Sequence, residues 1–220
     1  MRPLLIGTVT RLGDAGPAER NGADMVEVRL DYFDEDPKDV IKGIRDETDL
    51  PIIATLRWKE EGGRFTGSER ERKKKIINML AAVDYVDIEL KSGLSGEVAE
   101  KTSELGKKSI VSIHHFDICP DLSEMEKEIE EAMGIGDIAK LAVKVSSGEE
   151  LTRLANLAVR ISSKKPEKKF CLLGMGDFGR LSRILLPGLG SSMVYCSVVE
   201  STAPGQLSLE DMNSLLDVIG

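Results

Sequence analysis

Eight short β-type runs alternate with polar, helix-periodic segments along the whole chain, and this alternation is the strongest constraint on the fold. Each run is rich in apolar and β-branched residues and is followed by a helical pattern. The runs cover residues 4–9, 25–30, 52–56, 85–90, 109–114, 138–145, 170–175 and 193–199. Since no long linker or change of composition divides them, they predict one (β/α)8 TIM barrel that takes in residues 1–220 as a single domain.

Helix start signals stand between the runs. Asp36 before Pro37 predicts an N-cap followed by a proline at the first helical position. Capping boxes, in which a hydroxyl and a carboxylate bind each other's backbone amides, are predicted at Ser68, Ser123 and Ser147. The alternative fold, an open doubly wound sheet, requires at least two of the eight runs not to be strands.

Composition argues against several classes of function. The chain has 30 Lys and Arg against 38 Asp and Glu, a net charge of −8, and its arginines are scattered, so a nucleic-acid partner is not expected. The first apolar run is too short for a membrane span, and no membrane association is expected. Three widely spaced cysteines predict a reducing, cytoplasmic location, and only two histidines argue against a metal site.

Lys140 lies in the middle of the apolar run 138–143. Burial disfavours the charged form of a lysine, so such a residue is paired, reaches the surface, or serves as a nucleophile. His114 ends the preceding β-type run and supplies a candidate base. The alternative, a purely structural ion pair between Lys140 and Glu27 or Glu89, stays open at this point.

Other charged residues stand at the carboxyl ends of the predicted strands, where barrel enzymes hold their active sites. Arg29 and Arg57 are candidates to bind an anionic substrate, because a guanidinium matches a carboxylate in two hydrogen bonds. We expect Glu89, on the strand next to His114, to orient the imidazole. His115 is expected to face away from the barrel interior, since alternate residues of a strand point to opposite sides.

The glycine-rich segment 174–179 matches the dinucleotide pattern GxGxxG, and Glu200 follows at a suitable distance. Only one strand and one helix remain after it, too few to build a dinucleotide-binding sheet. The segment instead predicts a turn that presents helix amides to an anion, with Arg183 nearby.

A series of short motifs follows in order along the predicted barrel strands, at residues 26–31, 55–57, 61–63, 87–90, 112–116, 140–143, 175–176, 182–183 and 203–206. These motifs resemble those of the type I 3-dehydroquinate dehydratases, a family of shikimate-pathway enzymes. The resemblance extends over essentially the whole chain.

The resemblance implies that Lys140 forms a Schiff base with 3-dehydroquinate and that His114 removes the proton from the adjacent carbon. The enamine then expels a hydroxyl as water, and hydrolysis of the imine releases 3-dehydroshikimate. Glu89 resembles the carboxylate that positions His114. The resemblance implies no metal and no organic cofactor, and it suggests a homodimer.

The resemblance also implies the substrate contacts. Arg183 and Gln206 would hold the substrate carboxylate, and the segment 202–206 resembles a lid. The remaining contacts fall on Thr8, Glu27, Arg29, Arg57 and Thr202, with threonine at two positions where the family usually has serine. Two further departures are His115, where aspartate is usual, and Lys144, which we expect to extend towards solvent.

Two other functions compete with this one. A class I aldolase also uses a barrel lysine but acts on phosphorylated sugars, whereas Arg183 with Gln206 suits a carboxylate. A non-catalytic barrel that binds an anionic metabolite or a partner would need no buried nucleophile, so the presence of Lys140, His114 and Glu89 together argues against it.

Overall fold

All eight predicted β-type runs form strands in the computed structural model, which describes residues 2–176 and 178–219. Met1, Gly220 and Asp177, the last within the predicted glycine-rich turn, lie outside the described residues. The strands are β1 (Leu4–Val9), β2 (Met25–Arg29), β3 (Ile52–Thr55), β4 (Tyr85–Glu89), β5 (Lys108–His115), β6 (Ile138–Lys144), β7 (Lys169–Met175) and β8 (Met193–Ser197).

A helix follows each strand. The helices are α1 (Ala15–Arg20), α2 (Pro37–Glu47), α3 (Glu69–Met79), α4 (Ser95–Glu104), α5 (Leu122–Ile135), α6 (Gly148–Ser163), α7 (Gly179–Gly188) and α8 (Leu209–Ile219). Short 3-10 turns follow β2, β3 and α3, at Leu30–Tyr32, Lys59–Glu61 and Leu80–Ala82. In the described part of the chain, no helix has both the length and the apolar character needed to cross a lipid bilayer.

The strands pair in parallel in the order β7-β6-β5-β4-β3-β2-β1-β8, so the predicted (β/α)8 barrel is confirmed. β7 and β8 close the ring without a regular ladder between their described residues. There the amide of Ser192 donates to the Phe170 carbonyl at 2.8 Å, and the amide of Leu172 donates to the Ser191 hydroxyl at 2.9 Å.

The barrel interior has two kinds of layer along its axis. The layer near the amino ends of the strands is apolar. The layer above it holds the buried charged side chains, beside a few apolar ones such as Leu173 and Met175 of β7. A second and larger core fills the space between the strands and the helices. The lower inward layer includes Ile6, Met25, Ile53, Ile110, Ile138 and Met193.

The helix start signals are mostly confirmed. Asp36 caps α2, and Ser68 with Glu71 forms a complete capping box at α3. Ser147 accepts from the amide of Glu150, but the Glu150 carboxylate binds the amide of Ser146, so that box is incomplete. The box predicted at Ser123 is wrong: α5 begins at Leu122, and Asp121 is its N-cap residue.

Candidate active site

A cavity opens at the carboxyl ends of the strands, where barrel enzymes hold their active sites. It brings together every predicted site residue except Glu89. The predicted residues that line it are Thr8, Glu27, Arg29, Arg57, His114, Lys140, Arg183, Thr202 and Gln206.

Lys140 is 5% exposed and extends from β6 into this cavity. Its Nζ lies 3.1 Å from Oδ2 of Asp87, 3.7 Å from Oε1 of Glu27 and 3.8 Å from the centre of the Tyr195 ring. Of the two ion-pair partners considered from the sequence, Glu27 is nearby, whereas Glu89 pairs elsewhere. Lys140 is therefore both paired and directed at the cavity.

Asp87 is the central anion of the site. Its carboxylate accepts from Nη2 of Arg57 at 2.8 Å, from the Ser112 hydroxyl at 2.6 Å and from Lys140. Burial alone would raise the pKa of Asp87, but Arg57 and Lys140 outweigh it and hold the pKa well below its usual value. Asp87 thus stays charged and fixes the Lys140 amine in place.

The predicted pairing of Glu89 with His114 is not present. The Glu89 carboxylate instead binds three groups on the β3 and α3 side of the barrel. These are Nη1 of Arg57 at 3.0 Å, the amide of Trp58 at 3.3 Å and Nη2 of Arg72. Arg72 is almost fully buried and needs this carboxylate as its counter-charge, so Glu89 is unavailable to the histidine.

Glu61 takes the place predicted for Glu89. Its Oε2 lies 3.2 Å from Nδ1 of His114, and the imidazole stacks on the ring of Phe116 with an interplanar angle of 10°. Burial lowers the pKa of His114 well below its usual value, and the nearby cations Arg57 and Lys140 lower it further. The imidazole is therefore neutral at pH 7 and able to accept a proton.

Glu61 reaches His114 because of the turn that follows β3. The 3-10 turn Lys59–Glu61 ends at Gly62, whose φ of +75° is costly for residues other than glycine. A side chain at Gly62 would also collide with Phe116, and one at Gly63 with the carbonyl of Arg57. The two glycines let this loop fold back over the mouth of the barrel.

The guanidinium of Arg29 is held by Asp31. Nε and Nη2 of Arg29 donate to the two carboxylate oxygens at 2.9 and 2.8 Å. The same carboxylate accepts from the amides of Arg57 at 3.4 Å and Arg64 at 3.0 Å, which ties the end of β2 to the loop after β3. Asp31 therefore fixes the direction of Arg29 at the rim.

Arg183, on α7, is 2% exposed and donates from Nη1 to the Tyr195 carbonyl at 2.8 Å. Its Nε has no hydrogen-bond partner among the described residues, and burial lowers its pKa. No carboxylate among the described residues pairs with the Arg183 guanidinium. A buried cation of this kind is suited to an anionic ligand.

Gln206 connects the predicted lid to the barrel. Its Oε1 accepts from the amide of Thr202 at 2.8 Å, and its Nε2 donates to the Thr8 hydroxyl at 3.2 Å. Gly205, with a φ of +78°, lies against Gly179 at the start of α7. The segment 202–206 thus covers one side of the cavity.

Two predictions about neighbouring residues are confirmed. His115 faces outward, with its Nε2 2.7 Å from Oε2 of Glu128 on α5. The Lys144 side chain is exposed, as expected. Within residues 2–176 and 178–219, no three His, Cys, Asp or Glu side chains are grouped so that they would hold a metal ion.

The sequence predictions missed three residues of the site. Asp87 has a signal, because it shares the inward face of β4 with Glu89 and is the only other acid there. Glu61 stands directly before two glycines, a pattern that indicates a sharp turn near the strand end. Tyr195 has no signal beyond its position in an apolar strand.

Comparisons with known proteins agree with this geometry. The family model "Type I 3-dehydroquinase" matches residues 7–220. A 3-dehydroquinate dehydratase of Aquifex aeolicus is 36% identical over 203 residues, with 90% of this chain and 89% of that protein covered. One of Methanothrix thermoacetophila is 38% identical over 207 residues, with 94% and 86% covered.

Solved structures give the same result. The crystal structure of a 3-dehydroquinate dehydratase from Geobacillus kaustophilus matches with a TM-score of 0.93 and 27% identity, covering 100% of this chain and 91% of that one. The Aquifex aeolicus enzyme matches with a TM-score of 0.85 and 33% identity, covering 98% of both chains. On the family match and these relatives, the chain belongs to the type I 3-dehydroquinase family.

Proposed function

We propose that this protein dehydrates 3-dehydroquinate to 3-dehydroshikimate in the shikimate pathway, through a Schiff base on Lys140. One observation carries the proposal: a lysine amine, a neutral histidine and a buried arginine with no carboxylate partner among the described residues open into a single cavity. Family membership and the names of the relatives support the substrate.

Binding begins with the substrate carboxylate. Arg183 offers a free N–H and a charge that no carboxylate of the described residues neutralises, and Gln206 lies close by in the lid. Arg29 and Arg57 face the cavity from the other side, together with Glu27, and bind the ring hydroxyls. The ring is therefore held at both ends, with its ketone directed to Lys140.

Chemistry then follows at the ketone. The Lys140 ammonium group gives up a proton, and its nitrogen then attacks the carbonyl carbon. That proton and a second one from the same nitrogen leave with the ketone oxygen as water, which gives an iminium ion that draws electrons from the adjacent C–H bond. His114 removes that proton, with Glu61 holding the imidazole in the required orientation. The enamine expels the neighbouring hydroxyl, which takes a proton from His114 and leaves as water. Hydrolysis of the imine releases the product.

In this scheme Glu89 acts at a distance. Its contacts with Arg57 and Arg72 support a role in holding Arg57 in place, and not the direct contact with His114 that the resemblance suggested. The homodimer and the cytoplasmic location remain predictions.

Borohydride reduction in the presence of 3-dehydroquinate tests the nucleophile. We expect an irreversible adduct on Lys140, found by peptide mass mapping, and a fall in kcat of about 10⁴-fold or more in Lys140→Met. Lys144→Met is the matched control, since its side chain is exposed on the same strand, and it should keep wild-type turnover. Trapping on Lys144, or normal turnover without any trapping, would show that Lys140 is not the nucleophile.

A further inference from the structure

Two buried side-chain polar atoms lack a hydrogen-bond partner within residues 2–176 and 178–219. They are Nε of Arg183 and the hydroxyl oxygen of Tyr195. Nearly all buried polar groups in proteins are paired, so an unpaired donor in a cavity indicates a ligand that pairs with it. Both residues line the same cavity. The proposed function gives Arg183 the substrate carboxylate, and it gives the Tyr195 hydroxyl no role.

Tyr195 is next to the nucleophile. Nζ of Lys140 lies over the face of its ring, 3.8 Å from the ring centre. The hydroxyl is on that same ring, so it comes within reach of an oxygen bonded to the carbon that Nζ attacks. The backbone carbonyl of Tyr195 also accepts from Arg183 at 2.8 Å. One residue therefore adjoins both the nucleophilic amine and the arginine proposed to bind the substrate carboxylate.

We propose that Tyr195 is a catalytic residue whose hydroxyl donates a hydrogen bond to the substrate ketone oxygen while Lys140 forms the imine. This role rests on the proposed function, because it requires a ketone at Lys140. Burial, with Glu27 and Asp87 nearby, raises the pKa of Tyr195 well above its usual value, so the hydroxyl keeps its proton and remains a donor.

The step balances without a further reagent. The nitrogen lone pair of Lys140 forms the C–N bond, and the carbonyl π electrons move to the oxygen. That oxygen collects two protons, both of which originate on the lysine ammonium group, and departs as water when the C–O bond breaks and the C=N bond forms. Tyr195 stabilises the negative charge that develops on the oxygen before the protons arrive.

Oxygen exchange isolates this step from the later elimination. In His114→Ala the imine should form and hydrolyse without dehydration, so the ketone oxygen of 3-dehydroquinate exchanges with H₂¹⁸O, which mass spectrometry measures. We expect Tyr195→Phe, added to His114→Ala, to slow this exchange by about 10-fold or more, since loss of one donor to a developing oxyanion typically costs about 10²–10³-fold. Lys140→Ala with His114→Ala gives the uncatalysed rate.

The matched control is Tyr85→Phe in the same background. Tyr85 is also inward-facing and adjoins a lysine, Lys108, but it lies in the apolar layer at the other end of the barrel. Its loss of a hydroxyl should leave the exchange rate unchanged. A substrate analogue with a methylene group in place of the ketone has no oxygen for Tyr195 to contact, so it should bind equally well to the parent and to Tyr195→Phe, which excludes general damage to the site.

The outcomes separate the two proposals. If the exchange rate with Tyr195→Phe stays within twofold of the His114→Ala parent, the role of Tyr195 is overturned. The same holds if Tyr85→Phe slows the exchange as much as Tyr195→Phe does. Either outcome leaves the proposed function intact. Exchange in His114→Ala no faster than in the Lys140→Ala double variant overturns the Schiff-base function, and the role of Tyr195 with it.

Discussion

The two ends of the barrel interior are built by the same strands with the same alternation, yet they hold opposite kinds of side chain. Ile53 of β3 and Ile138 of β6 belong to the apolar layer. Arg57, two residues after β3, and Lys140, two residues after Ile138 on β6, line the cavity instead. Burying a large apolar side chain contributes about 1.5–3 kcal/mol, whereas burying a charge is unfavourable unless it is paired. Stability and chemistry are therefore separated along the barrel axis.

The charged end contains pairs that serve the fold and pairs that serve the reaction. Glu89→Gln should cause the largest loss of stability, about 3–5 kcal/mol in the free energy of unfolding, because Arg57 and Arg72 lose their shared carboxylate. Urea denaturation measures it. The control is Glu69→Gln, whose partly exposed side chain lies 3.8 Å from Arg72 and should change stability by about 0.5 kcal/mol or less. Unchanged stability with lost activity in Glu89→Gln would instead favour direct contact with His114.

The apolar end should respond in stability alone. Ile53→Ala removes a fully buried side chain from the lower layer and should cost about 2–5 kcal/mol, measured by urea denaturation. Its kcat at temperatures where the variant is folded should stay within about twofold of wild type. Val218→Ala, at an exposed position of α8, is the control and should be neutral. A large fall in kcat of the folded variant would show that the two layers are not independent.

Glu61→Gln should give the smallest effect, and it should lower activity without lowering stability, the reverse of Ile53→Ala. Loss of the charge beside His114 should lower kcat by about 10–100-fold and leave the melting temperature unchanged. Burial raises the pKa of Glu61, so on acidification this carboxylate takes up its proton at a higher pH than an ordinary glutamate does. The wild-type kcat should therefore begin to fall at that higher pH. This fall should be absent from the pH profile of Glu61→Gln. The control is Glu60→Gln, because Glu60 is the exposed residue just before Glu61, and this variant should behave as wild type. An unchanged kcat in Glu61→Gln would contradict the positioning role of Glu61.

The fold was predictable from sequence because each strand and helix carries its own local signal. The alternation identified all eight strands to within about two residues at each end, and capping residues marked the starts of α2, α3 and α6. The error at Ser123 has a local cause: Asp121, two residues earlier, is an equally good cap residue, and the pattern does not choose between them.

The site was predictable where strand geometry alone places a side chain. Lys140, Arg57 and Glu27 follow from period-two alternation at carboxyl ends. The partner of His114 was not predictable, because the path of the loop after β3 depends on contacts between distant residues. Glu89 is taken by Arg72 of α3, and this pairing has no periodic signature in the sequence.

The closure between β7 and β8 has a consequence for how evenly main-chain bonds hold the barrel together. Seven residue pairs join β6 to β7, whereas β7 meets β8 through isolated bonds such as that from Ser192 to Phe170. Arg183, Tyr195 and the segment 202–206 all belong to this weakly joined side. Fewer main-chain hydrogen bonds hold this side together, so a local displacement here breaks fewer bonds than one between β6 and β7.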